Sequence, residues 1–252
     1  MRKLFCFDLD DTLMWNEYTY SLAVIEFLQH ILKVFEQRAP FAGDIAQMIA
    51  KISLRKIKET NPTTGKPYGF SMERFPDTLV DSYKTLCENG WGEYQDFHAN
   101  HVHGIGMRVF DKKRYWEQGM VPGAVEVLNF LQNQDDDLIL LTKGDPRVQE
   151  RKIQALELTR WFKKIQIVDS KTSETFRPFM RGWPARSIYG VGNSFSSDIR
   201  PALDVGCSAI FIPCFTWRAE STDIGRLSES ERERLFVIKK ISEITEIYNK
   251  LN

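Results

Sequence analysis

Leu4-Phe5-Cys6-Phe7-Asp8-Leu9-Asp10-Asp11-Thr12-Leu13 opens with four apolar residues and then turns abruptly acidic. Four residues are too few for a helix. A short unbroken apolar run suits a strand buried on both faces, as in the middle of a parallel sheet. Successive strand side chains point to opposite faces, so Asp8 and Asp10 leave the carboxyl end on the same side. Open α/β sheets bind their ligands at that end. Two carboxylates side by side repel, so the stretch calls for a cation between them or a proton on one. Taken alone, the same letters also fit a strand followed by an acidic turn, because Asp is a common turn residue.

Beyond Leu13 the pattern turns helical for about a hundred residues. Leu22, Ile25, Leu28, Leu32 and Phe35 recur at helical spacing and predict one amphipathic helix. Asp44–Ile57 predicts a second, and Asp77–Glu88, with Pro76 at its start, a third. Residues 61–69, rich in Pro and Gly, read as a loop between them. Residues 15–117 are therefore expected to form a mostly helical insert. Lys51, Arg55 and Lys58, with Lys56 and Lys66 nearby, read as a solvated basic face. Trp91, Tyr94 and Phe97 read as core of the insert. His98, His101 and His103 form a close histidine cluster to which Asp96 or Glu93 could add a zinc ligand. No standard zinc signature is matched, so a packing or pH-sensitive role is the expectation.

From about residue 118 helices alternate with short apolar strands. Strands are expected at Leu138–Thr142, Ile165–Val168, Ile188–Val191 and Ala209–Ile212, with an edge strand at Phe236–Ile238. Helices are expected near 146–158, 173–182 (interrupted by Pro178) and 198–205, and from about Lys240. Strands separated by helices imply right-handed crossovers and a parallel sheet. The fold class is α/β: a Rossmann-like, three-layer parallel-sheet core of residues 1–14 and 118–252, carrying the helical insert.

Three of these later strands end in groups suited to phosphoryl transfer. Thr142 is followed by Lys143 and Gly144, a hydroxyl and a glycine turn whose backbone N–H groups could cradle phosphate oxygens. Lys171 lies just past Val168, where an ammonium could screen a carboxylate and a phosphate together. Gly192-Asn193-Ser194-Phe195-Ser196-Ser197-Asp198 ends a strand in a glycine turn and brings an acid to the following helix. Each has an ordinary alternative: a common strand end, a surface lysine, a helix N-cap.

Together and in this order, Asp8/Asp10/Thr12, Thr142, Lys171 and Gly192…Asp198 resemble all four sequence motifs of the haloacid dehalogenase-like (HAD) superfamily. The insert matches that family's cap in position and helical character. The resemblance implies a Mg²⁺-dependent phosphatase acting through an aspartyl-phosphate. Asp8 would be the nucleophile and Asp10 the general acid and base, carrying a proton at the first step. Thr142 and Lys171 would hold the phosphoryl group, with Lys143 and Gly144 in the substrate cradle. Asp8, the backbone carbonyl of Asp10 and Asp198 would bind the metal. The family's last motif commonly has Asp where this chain has Asn193, which can still offer an amide oxygen but lowers the negative charge. A phosphomutase on the same residues and a non-catalytic binding protein remain alternatives. Dehalogenation is disfavoured, because the dehalogenases this chain resembles lack an acid at the position of Asp10.

Thirty-four basic residues balance thirty-four acidic ones, so no global field exists to attract nucleic acid or an anionic membrane. The expected partner is a small phosphorylated molecule. Cys6, Cys87, Cys207 and Cys214 show no C-x-x-C spacing, which suits reduced thiols. The start lacks a signal peptide and no apolar run nears the ~20 residues that cross a bilayer, giving an expectation of a cytoplasmic protein.

Overall fold

Leu4–Phe7 forms the first strand, β1, and lies between two parallel neighbours, β2 (Asp137–Lys143) and β4 (Ile188–Gly192). β3 (Lys164–Val168) flanks β2, while β5 (Ser208–Phe211) and β6 (Leu235–Val237) continue beyond β4. The six-stranded sheet has the order β3-β2-β1-β4-β5-β6, and every pairing is parallel. The computed structural model describes residues 2–181, 183–184, 187–214, 224 and 227–251. The chain divides into two compact units, Met1–Glu17 with Trp116–Asn252, and Tyr18–Tyr115.

Both faces of β1 are buried, which is why its sequence does not alternate. Leu4 and Cys6 pack with Ile139, Leu141, Phe176 and Phe179 on one face. On the other, Phe5 stacks on Tyr189 with centroids 5.2 Å apart, and Phe7 meets the edge of Phe162. Burial pushes the thiols of Cys6 and Cys207 well above their ordinary range, as expected for inert core cysteines.

The second unit holds helices α1 (Asn16–Phe35, its first two residues belonging to the sheet unit), α2 (Ala42–Lys56), α3 (Arg74–Glu88), α4 (Asp96–Met107) and α5 (Lys112–Gln118, mostly in this unit). The buried stripe of α1 is Thr19, Ala23, Phe27, Ile31 and Phe35. This differs from the expected stripe: Ile25 and Leu32 are exposed, because α1 is apolar on more than one side and packing selects the face carrying Phe27 and Ile31. α4 buries Ala99, Val102 and Ile105 at helical spacing, and Gly106 lets it close onto Pro76 of α3, where a Cβ would lie 2.5 Å from the proline Cα. That face turns Phe97 away: it is 73% exposed, and Trp91 and Tyr94 are exposed too, so the three are not core.

Lys51, Arg55 and Lys58 are exposed, whereas Lys56 is buried, 2.7 Å from Asp81 and over the ring of Tyr68. His98 and His101 pack against His30 of α1, at centroid distances of 5.1 and 4.3 Å, while His103 faces Asp77. Among the described residues no group of three or more His, Cys, Asp or Glu side chains converges to hold a metal. No helix among them is long and apolar enough to cross a membrane.

In the sheet unit, α6 (Ala124–Asn133) precedes β2, and α7 (Pro146–Ala155) follows it, three residues shorter than expected. The helix expected over 173–182 is α8 (Ser173–Phe176) and then a 3-10 turn at Arg177–Met180 containing Pro178; residue 182 lies outside the described residues. A π turn, Phe195–Ile199, leads into α9 (Arg200–Asp204). A short helix, α10 (Glu229–Arg232), precedes β6, and the terminal helix expected from about Lys240 shrinks to α11 (Glu243–Ile247) and a 3-10 turn at Tyr248–Lys250.

Candidate active site

Asp8 follows β1 at the centre of the sheet's carboxyl edge, and its N–H extends the ladder to Val191 O at 2.8 Å. The chain then coils: Leu9 O accepts the N–H groups of Leu13 (2.9 Å) and Met14 (3.2 Å), and Asp11 takes a φ of 58°. Leu9, Leu13 and Met14 are fully buried and anchor this turn. Asp10 and Asp11 between them stay half-buried. Burial is the main reason the Asp11 carboxyl is pushed up to about 7.

No shared cation joins Asp8 to Asp10: Asp8 is held by Lys171, and Asp10 by a different lysine, Lys152. Lys171 Nζ donates to Asp8 Oδ1 at 2.5 Å and to Asp198 Oδ1 at 2.6 Å, with all three side chains almost wholly buried. Burial works against the ammonium, but Asp198 and Asp8 outweigh it and hold the Lys171 pKa above its ordinary value. Burial raises that of Asp8; Lys171 opposes the shift, and Asp198 and Asp10 add to it. One ammonium thus serves two carboxylates.

Asp198 lies in the π turn and is not its N-cap. Ser194 takes that place, its hydroxyl accepting from Ser197 N–H, while Ser194 N–H donates to Asp198 Oδ2 at 3.0 Å. Gly192 is required by close approach: a Cβ there would lie 2.2 Å from Asp198 Oδ2. Asn193 is buried, and its Oδ1 accepts from Thr12 Oγ1 at 3.3 Å.

Thr142 is 1% exposed, and its hydroxyl is buried without a hydrogen-bond partner among the described residues. Lys143 Nζ donates to Ser197 Oγ at 2.9 Å, joining the end of β2 to the π turn. Gly144 departs from expectation. Its N–H is not free for a phosphate but donates to Val168 O at 3.1 Å, because the turn stays attached to β3.

Asp10 has partners that sequence reasoning missed. Lys152 Nζ lies 2.7 and 2.9 Å from its two oxygens, and Gln149 Nε2 donates to Oδ2 at 3.0 Å. Both sit on the buried face of α7, between Val148 and Ile153. A lysine on a buried helical stripe is itself a signal, since a buried ammonium needs an acid.

The site is therefore a set of oxygen donors, the ammonium groups of Lys143, Lys152 and Lys171, and the hydroxyl of Thr142, gathered at the ends of four parallel strands. No protein-family model matches this sequence, and no curated protein is similar to it by sequence. Solved structures do match. A haloacid dehalogenase-like family hydrolase from Xanthomonas campestris aligns over 99% of this chain and 91% of its own, at 22% identity and a TM-score of 0.71. A magnesium-bound putative HAD-hydrolase from Bacillus subtilis covers 99% of this chain and 100% of its own, at 20% identity and TM-score 0.59. A 2-haloacid dehalogenase from Pseudomonas syringae covers 100% of both chains at 19% identity and TM-score 0.57. Other matches carry the names of a phosphatase and of further dehalogenases. The chain has the fold of the haloacid dehalogenase-like hydrolases, a Rossmann-like α/β fold.

Proposed function

We propose that this chain is a hydrolase, a Mg²⁺-dependent phosphatase that cleaves small phosphate monoesters through an aspartyl-phosphate on Asp8. The observation that carries this reading is the Lys171 ammonium shared by Asp8 and Asp198, with a further acid, Asp10, two residues past the nucleophile. An Asp8 oxygen attacks phosphorus and the ester P–O bond breaks, with Asp10 giving its proton to the departing alkoxide. Asp10 then takes a proton from water, whose oxygen attacks the same phosphorus. The P–Oδ bond breaks, and inorganic phosphate leaves with Asp8 restored. Lys171 and the free hydroxyl of Thr142 stabilise the charge on the transferring group, with Lys143 at the end of the same strand.

The donor set fits a hard divalent cation, since every candidate ligand is an oxygen and two acids share one ammonium. Magnesium would be held by Asp8, Asp198 and the backbone carbonyl of Asp10, with Asn193 beside them. When bound it would supply positive charge that offsets the negative charge of the phosphoryl oxygens.

Dehalogenation shares the fold and a carboxylate nucleophile, but it has no leaving alkoxide for Asp10 to protonate. The test is phosphate release from a panel of alkyl and aryl monoesters, with Mg²⁺ or with EDTA, and halide release from a 2-haloacid in parallel. Mg²⁺-dependent phosphate release that Asp8→Asn abolishes is the expected result. Halide release without phosphate release, or turnover by the Asp8→Asn variant, refutes it.

A further inference from the structure

Lys152 is 2% exposed, and its three N–H donors meet three oxygens: both of Asp10 and Oδ1 of Asn16 at 2.8 Å. Gln149 uses its amide nitrogen in the same way, giving one N–H to Asp10 Oδ2 and the other to Lys143 O at 3.1 Å. Gly144 makes room for this arrangement. Its φ is 134°, and a Cβ there would stand 3.0 Å from Gln149 Nε2. Two residues one helical turn apart on α7 thus grip a carboxylate carried by the β1–α1 loop. They tie it to the end of β2 on one side and to the start of α1 on the other.

We propose that Lys152, seconded by Gln149, is a positioning residue for Asp10 that fixes both side-chain torsions of the proton-transfer group. This role presupposes the phosphatase reading above. The bonds from Lys152 and Gln149 to Asp10 are separate from those by which Lys171 joins Asp8 to Asp198, so the role concerns the placement of Asp10. A general acid has to stand within hydrogen-bond reach of the leaving oxygen. A loop carboxylate with two free torsions spends little time there. Release of the grip should therefore look like partial loss of Asp10, and only for esters whose leaving group needs a proton.

The experiment compares wild type, Asp10→Asn, Lys152→Met and the double variant on an alkyl and an aryl phosphate with Mg²⁺. Lys152→Met should lower kcat on the alkyl ester ~10²-fold, the order expected of a misplaced catalytic group, with KM little changed. It should cost less than ~10-fold on the aryl ester, whose leaving group needs little protonation. In the Asp10→Asn background it should cost nothing further. Equal losses on the two esters, or losses that add to those of Asp10→Asn, overturn the role. If thermal melting shows Lys152→Met to be unfolded, Gln149→Met decides, since it leaves both charges in place. Its expected signature is a loss of about tenfold confined to the alkyl ester, and an unchanged alkyl rate overturns the role. Wild-type turnover with an unaltered Lys152→Met variant defeats the positioning role alone. Absence of phosphate release from the wild type defeats the phosphatase reading and this role with it.

Discussion

Replacing Lys171 by Met, nearly isosteric but uncharged, would leave Asp8 and Asp198 buried with no ammonium between them. Breaking a buried ion pair by removing one partner costs about 3–5 kcal/mol, because an uncompensated charge remains. Here a single cation serves two acids, which places the cost near the upper end. At ~2–4 °C per kcal/mol for a chain of this size, Tm should fall by roughly 10–20 °C. The pH dependence has a definite sign. Burial already raises the Asp8 pKa against the pull of Lys171, so loss of Lys171 raises it further. An acid with a raised folded-state pKa binds more protons folded than unfolded. Its favourable contribution is complete below about pH 4 and is lost as pH rises through the folded-state value. The variant should therefore lose more stability at about pH 8 than at about pH 5. Calorimetry in EDTA at both pH values measures this, and added Mg²⁺ should restore part of the loss at the higher pH. A Tm within ~2 °C of wild type at about pH 8, or a larger loss at about pH 5, would refute the charge argument.

Gly192→Ala would force the Asp198 carboxylate off its contacts with Ser194 N–H and Lys171. The expected result is a lower apparent Mg²⁺ affinity with an overpacking cost of ~1–3 kcal/mol, and Mg²⁺-activation curves identical to wild type would contradict it. In the helical unit, burial, then His101, His98 and Lys33, hold the His30 pKa down to about 4, and its buried Nε2 has no hydrogen-bond partner among the described residues. Stability from keeping His30 neutral is present above about pH 6.5 and lost as pH falls towards 4. His30→Leu should flatten that loss by ~1 kcal/mol once the shift is discounted for the side chain's exposure, as read from chemical denaturation across the range.

The inner strands β1, β2, β4 and β5 were legible because each is a short run cut off by polar or glycine residues, and burial on both faces leaves no alternation to misread, whereas β3 and β6 are only partly buried. Asp8, Lys171 and Asp198 were legible as separate strand-end residues; that they share contacts depends on the sheet order, which brings residues 8, 171 and 198 together across long sequence separations. What the letters hid came from packing choices between similar faces. α1 offers apolar residues on more than one side, and burial selects Phe27 and Ile31 over Ile25 and Leu32. Trp91, Tyr94 and Phe97 look like core by chemistry, yet α4 spends its buried face on Ala99, Val102 and Ile105, small enough to bring it close to α3. Gly144 resembles a phosphate cradle but gives its N–H to β3 and its open side to Gln149. Lys152 was readable in principle, because it falls on the same stripe of α7 as Val148 and Ile153.

The two buried ammonium groups divide the acids unequally, and this division bears on where a cation would sit. Lys152 donates to both oxygens of Asp10, so that carboxyl already has a cation beside it. Lys171 faces two carboxylates, so Asp8 and Asp198 keep an excess negative charge in a buried setting where it is poorly screened. On the proposed reading, a divalent ion would be held by Asp8 and Asp198, where the excess lies. It has no comparable reason to draw the Asp10 side chain away from Lys152. On the same reading the Asp10 side chain would stay with Lys152 for proton transfer, and its backbone carbonyl, two residues past Asp8, would be the part of Asp10 offered to the metal. Asn193, where the family that this chain resembles commonly has an acid, follows the same logic. A carboxylate there would deepen the excess charge, whereas the amide leaves it on the two acids that already contact Lys171.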